Sequence, residues 1–151
     1  MDVSLRGQGE QGRYVNEHEV DVLIEQVKKL LKSSPQYNGH IGIISFYNEQ
    51  LVLLNKKLKN VGLEQAVQSG TVDAFQGKEF DIVFLTTVRS NRYQGEARAL
   101  GFLRSPNRFN VALSRARKLI VIVGDAKTLC HSNMFQHAYD YVKERGYIEH
   151  Y

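Results

Sequence analysis

Apolar residues recur along the chain with two periods, and the periods alternate. Val20, Leu23, Ile24, Val27, Leu30 and Leu31 fall three and four apart, the spacing of a helix with one buried face. Asn16 with Glu19 three residues later reads as a capping box at its start, and Ser33-Ser34-Pro35 ends it near Lys32. Ile41 to Phe46 is an apolar run of strand length. Leu51, Leu54, Leu58 and Val61 give a second helix, with Gly62 just past its end, where a left-handed residue is common. A short strand is predicted near Ala66 to Val72, then a loop from Asp73 to Phe80. Ile82 to Val88 stays apolar without alternating, as a central parallel strand covered on both faces does. Ser105 and Pro106 read as an N-cap and first helical residue, with Phe109, Ala112, Leu113 and Ala116 on the buried side of the helix that follows. Leu119 to Val123 is a further buried strand, and a last helix runs from about Met134 to Arg145, where Gly146 stops it. Asp2 to Arg6 has the character of one more short strand.

Strands alternating with helices imply an α/β three-layer sandwich on a mostly parallel sheet, with residues 1–151 as a single domain. In such sheets ligands sit at the carboxyl ends of the strands, and the unusual loops of this chain are expected there. With 42% apolar residues over 151 positions the chain can bury a core, but no run approaches the length of a membrane span. The single Cys130 allows no internal disulfide and suits a reducing, intracellular setting. Gly7-Gln8-Gly9-Glu10-Gln11-Gly12 spells a dinucleotide-binding fingerprint but lacks its context. The helix cap waits until Asn16, and Lys32 stands near the position where an acid should meet a ribose. A nicotinamide-dependent oxidoreductase is set aside on that ground.

The net charge of +4 matters less than where it lies. Residues 89–118 hold Arg89, Arg92, Arg98, Arg104, Arg108, Arg115, Arg117 and Lys118 against Glu96 alone, eight cations less one anion, or +7. Clustered arginine suits phosphate, of a nucleotide or of a nucleic-acid backbone, and arginine's planar fork favours bidentate recognition over the point charge of lysine.

Two segments carry the candidate chemistry. In Thr71-Val72-Asp73-Ala74-Phe75-Gln76-Gly77-Lys78-Glu79, Gly77 lets a ligand approach the backbone, Thr71 offers a hydroxyl at a strand end, and Glu79 can accept from a ribose hydroxyl or a positioned water. In the segment from Arg104 to Arg117, continued helical spacing would set Arg108 and Arg115 on one rim face and turn Arg117 away from it. An ordinary polar loop and a solvated basic helix face account for the same residues without any ligand.

TVDAFQGKEFDIVFLTTVRSN and LGFLRSPNRFNVALSRARKLIVIVGD, in that order, resemble motifs V and VI of the superfamily 1 helicases of the nonsense-mediated-decay helicase, senataxin and immunoglobulin-mu-binding helicase group. IGIISFYNEQ is similar to that group's motif IV region, and YVNEHEV to its N-x-x-E opening. The resemblance implies the second RecA-like motor domain of an ATP-dependent helicase that travels 5′→3′. It casts Arg115 as the arginine finger toward the γ-phosphate, Glu79 as a catalytic nucleotide contact, and Gln76 and Gly77 as the loop beside the nucleotide. Thr71, Val72, Ser45, Tyr47 and Arg89 would lie along single-stranded nucleic acid, and Gln50 would support that side or the interdomain cleft. The sequence departs from the group at Phe46, where proline is usual, at Asn107, where arginine is common, and over a longer segment from Tyr93 to Ala99. It holds no GxxxxGK[ST] loop and no acidic pair for Mg2+, so both are expected on an upstream RecA-like domain of a longer protein. The alternative is a non-catalytic, helicase-derived nucleic-acid-binding module.

Overall fold

The structure, a computed structural model, describes residues 14–151; the strand expected at Asp2 to Arg6 and the glycine-rich stretch Gly7 to Gly12 lie outside them. The described elements run in chain order α1 (Glu17–Ser33), β1 (Ile41–Ser45), α2 (Asn48–Asn60), β2 (Val67–Thr71), β3 (Phe80–Thr86), α3 (Glu96–Leu100), α4 (Pro106–Leu113), β4 (Ala116–Val123), α5 (Ala126–Leu129) and α6 (Asn133–Arg145). Single 3₁₀ turns cover Pro35–Tyr37, Asp73–Phe75 and Gly101–Arg104. All strand pairs are parallel, in the order β2-β1-β3-β4.

Each face of the sheet has its own core, which makes the three layers. Alternate residues of β1 and β3, Ile41 and Ile43 with Ile82 and Phe84, meet Val20, Leu23 and Val27 of α1 and Leu54 and Leu58 of α2. The opposite residues, Ile44, Val83 and Leu85, pack with Phe75, Phe80, Leu100, Leu103, Phe109 and Phe135. Gly42 belongs to this second face because the Phe80 ring occupies its side-chain space. A Cβ there would stand 2.5 Å from Phe80 Cδ2.

Three sequence expectations need correction. β4 is not a buried strand: it borders the sheet, and Arg117, Lys118 and Leu119 are exposed. The helix expected to reach Ala116 stops at Leu113, because the next residues join the sheet, with Ala116 opposite Phe80. Arg115 therefore sits in the turn between α4 and β4, and Arg117 on β4, so the shared helical face of Arg108 and Arg115 does not exist. A register shift leaves Arg117 and Lys118 opposite the single Asp81, which both grip at 2.9 and 3.0 Å. Those two cations, Lys118 first, hold the Asp81 carboxyl below the usual carboxylate range.

Candidate functional site

Parallel pairing aligns the strand ends. Ser45 pairs with Thr71 on one side and Thr86 on the other, and Thr86 with Val123. The carboxyl-terminal border of the sheet thus gathers Thr71, Ser45 and, one to three residues beyond the strands, Val72, Tyr47 and Arg89. The segment Gln76 to Glu79 lies at the other end. It leads into Phe80 at the amino-terminal start of β3, beside the start of β4, so the expectation that every unusual loop falls at the carboxyl ends is overturned. The eight residues from Val72 to Glu79 run from one border to the other.

At the amino-terminal border, Arg115 is clasped. Its Nε donates to Val111 O (3.2 Å), Nη1 to Phe75 O (3.4 Å) and Lys78 O (3.2 Å), and Nη2 to Ser114 Oγ (3.0 Å). Four of its five N–H groups are committed. Its own carbonyl accepts from Phe80 N at 2.8 Å, which fastens the turn to β3. Gln76 and Glu79 are exposed. Gly77 has φ +78, a left-handed conformation that glycine adopts without strain, and the space beside its Cα is open. A half-buried guanidinium, an exposed carboxylate and an open glycine thus share one border. This donor set fits part of a nucleotide triphosphate, with acceptor capacity for a ribose hydroxyl and forked donors for phosphate.

The carboxyl-terminal border is more enclosed. Thr71 Oγ1 accepts from Ala74 N, inside the 3₁₀ turn, at 3.3 Å. Ser45 is fully buried and its Oγ accepts from Tyr47 N at 3.1 Å. Val72 is a core side chain. Tyr47 is buried, donates to Leu100 O at 3.4 Å and stacks on Tyr14 with ring centroids 4.8 Å apart. Arg89 is also buried: its Nε and Nη2 donate to Ala99 O and Arg98 O at 3.0 and 2.7 Å, and its guanidinium lies 5.2 Å from the Tyr14 ring centroid.

The sequence reading missed the polar network beneath this border. Asn16 Oδ1 accepts from Glu19 N at 3.1 Å, which is half of the capping box. The reciprocal half is absent, because Asn16 N donates to Gln50 Oε1 at 2.8 Å. The Glu19 carboxyl instead turns inward to the end of β3. Its Oε2 accepts from Thr86 Oγ1 (2.7 Å), Thr87 N (3.0 Å) and Val88 N (2.9 Å). Gln50, also fully buried, donates to Asn16 O and Thr86 Oγ1 and so joins α2 to the network. Burial raises the Glu19 carboxyl to about 7 against the pull of its donors. Val88 has φ +69, a strained conformation for a β-branched residue, and Glu19 and Asn16 hold both its N–H and its carbonyl. No sequence signal separates this arrangement from a capping box, because both are spelled N-x-x-E.

Among the described residues, no helix is long and apolar enough to cross a membrane, and no group of three or more His, Cys, Asp or Glu could hold a metal ion.

A family model described as "AAA domain" matches residues 2–127. "Regulator of nonsense transcripts 1" of Dictyostelium discoideum is 34% identical over 140 residues, 89% of this chain and 10% of that protein. "ATP-dependent helicase upf1" of Schizosaccharomyces pombe is 37% identical over 113 residues, 72% of this chain and 12% of its own length. The chain thus spans about a tenth of these relatives. The solved C-terminal domain of a possible DNA helicase from Lactobacillus plantarum WCFS1 superposes with a TM-score of 0.51 at 19% identity, over 80% of this chain and 78% of that one, a likeness of fold. The parallel sheet, the order of its motifs and a family match over most of its length lead to one conclusion: the chain belongs to the AAA domain family, in the group that includes the nonsense-mediated-decay and senataxin helicases.

Proposed function

We propose that this chain is the second motor lobe of an ATP-dependent helicase. It presents Arg115 and Glu79 to a nucleotide held chiefly by an upstream domain, and it meets single-stranded nucleic acid at the opposite border of its sheet. The observation that carries the reading is the clasp of Arg115 on the carbonyls of Phe75 and Lys78, which makes the guanidinium and the Gln76–Glu79 loop one unit. The names of the relatives, one an "ATP-dependent helicase", and their much greater length support it.

ATP, when bound, supplies the phosphoryl group and the charge that shifts during its transfer, with Mg2+ held by the upstream domain. The work left to this chain is positional and electrostatic. Arg115 has one N–H uncommitted, so placing its fork on phosphate oxygens requires letting go of at least one of these acceptors. Glu79, exposed beside Gly77, accepts from a ribose hydroxyl or orients a water. The segment from Val72 to Glu79 joins the two borders, so a shift of the loop on nucleotide binding reaches Thr71 along the backbone. Ser45, Val72, Tyr47 and Arg89 act on nucleic acid through the surface they shape, since their side chains are internal.

One observation favours the non-catalytic module instead: four of the five N–H groups of Arg115 are already held within the chain without a nucleotide. Steady-state ATPase separates the two readings. The isolated chain shows no turnover, and the full-length protein shows hydrolysis stimulated by single strands. Robust turnover by these 151 residues alone contradicts the half-site; no turnover by the full-length protein favours the module.

A further inference from the structure

Phe102 is an apolar ring held out into solvent by a rigid support. It is 61% exposed, on the 3₁₀ turn Gly101–Arg104, while its neighbours Leu100 and Leu103 are fully buried. The segment leading into the turn is pinned from below by the buried fork of Arg89 on the carbonyls of Arg98 and Ala99. Gly101 takes φ +52, and a Cβ there would stand 3.4 Å from Arg89 Nη1 and 3.5 Å from the Tyr47 hydroxyl. The edge of Phe102 meets the Tyr47 ring, centroids 6.2 Å apart, and Tyr47 stacks in turn on the part-exposed Tyr14. The Arg108 guanidinium lies 5.7 Å from the Phe102 centroid, and Arg98, Arg104 and Arg108 are all exposed nearby, with Glu96 the acid lining the same shallow depression.

A lone exposed phenylalanine is unremarkable on a protein surface. A pre-set one, propped on a buried aromatic and flanked by the Arg104 and Arg108 guanidiniums, has the composition of a stacking platform for an unpaired base with phosphates on either side. We propose that Phe102 stacks a nucleobase of single-stranded nucleic acid, with Arg104 and Arg108 on the flanking phosphates, which makes it the exposed contact that the buried Tyr47 and Arg89 support. The inference rests on the nucleic-acid reading above and adds which residue touches a base.

The chain has no tryptophan, so Phe102→Trp installs a sole indole reporter at the proposed contact. The wild-type chain, Phe102→Trp, Phe102→Tyr and Phe102→Ala are titrated at low salt with an oligothymidylate and with an abasic strand of equal length. Indole emission falls on the base-bearing strand and not on the abasic one. Phe102→Ala weakens oligothymidylate binding about tenfold and leaves abasic binding and the salt slope unchanged, while Phe102→Tyr binds as wild type. An equal loss on both strands, or an unquenched indole on a strand that binds, overturns the platform and leaves the broader reading standing. A wild-type chain that binds neither strand removes the reading beneath it. Unchanged affinity on both strands, with loss of ATPase in the full-length protein, assigns the ring to a contact with the upstream domain and also overturns the proposal.

Discussion

Replacing Glu19 by alanine strands donors in the interior. Val88 N–H loses its acceptor and Thr86 Oγ1 the oxygen to which it donates, while Thr87 N–H keeps Val123 O, at 3.2 Å, as its remaining acceptor. An unsatisfied buried N–H costs ~1–3 kcal/mol, so the Val88 amide alone costs about that much, against a typical total stability of ~5–15 kcal/mol. Val88, strained at φ +69, loses one of the bonds that hold it there, so the turn before Arg89 relaxes first. Glu19→Gln is the more informative variant, because its amide oxygen can take the place of Oε2 and keep all three donors while the charge disappears. The folded carboxyl lies at about 7 and the ordinary value is 4.5, so between these values the folded state keeps a proton that the unfolded state has released. Stability from this group is therefore lost as pH rises from about 4.5 to about 7, by roughly 3 kcal/mol at ~1.4 kcal/mol per pH unit. Urea unfolding of wild type and Glu19→Gln across that window checks it. Subtracting the two curves cancels what the five histidines contribute in common. Asp81, depressed by Lys118 and Arg117, acts in a separate window: its contribution is lost only as pH falls below the ordinary aspartate value of 3.8. A difference curve that is flat from about 4.5 to about 7, or rises with pH, refutes the claim that Glu19 is a desolvated carboxyl without a cation.

Arg115→Ala releases the loop carbonyls of Phe75 and Lys78 and should lower stability by about 1 kcal/mol, read by chemical denaturation. Arg117→Ala breaks only a surface pair and should cost well under ~1 kcal/mol. Gly77→Ala enters open space but must hold φ +78, so it should lose about 1 kcal/mol by strain alone; an unchanged melting temperature argues against the left-handed loop. Gly42→Ala drives a methyl into the Phe80 ring and should cost more, ~1–3 kcal/mol, or displace the ring with a change in near-ultraviolet signal. Single-strand binding by the chain should be weak and should fall by at least about tenfold between roughly 50 and 200 mM salt; tight, salt-insensitive binding favours a dedicated binding module.

The elements legible in the sequence were those set by local chemistry. The period of α1, the left-handed Gly62 after α2 and the Ser105 cap of α4, whose Oγ accepts from Arg108 N, all appear as read. The end of α4 was not legible, because Ala116 continues the helical spacing and neither Ser114 nor Arg115 breaks a helix. Pairing of Ala116 with Phe80, thirty-six positions away, decides it. Glu19 likewise satisfies a local motif by its spacing, while its carboxyl answers to Thr87 and Val88, whose separation only the sheet removes. The short α3 and α5 have too few turns to leave a period. For the site, the motifs pointed to candidate residues, but not to Gln76–Glu79 and Thr71 standing at opposite borders, nor to Ser45, Tyr47 and Arg89 being internal. A strand–loop–strand string is silent on whether its loop turns back or crosses the sheet.

The most direct test of the half-site is steady-state ATPase of the full-length protein at saturating single strand, for wild type, Arg115→Ala and Arg117→Ala, with nucleotide affinity measured separately. If Arg115 meets the phosphoryl group, its loss lowers turnover by ~10² or more while affinity changes little, because a guanidinium stabilises charge that develops during transfer. Arg117, occupied with Asp81 on β4, serves as the control and leaves turnover within about twofold. Equal turnover for both variants contradicts the account and leaves Arg115 as a structural clasp for the Gln76–Glu79 loop.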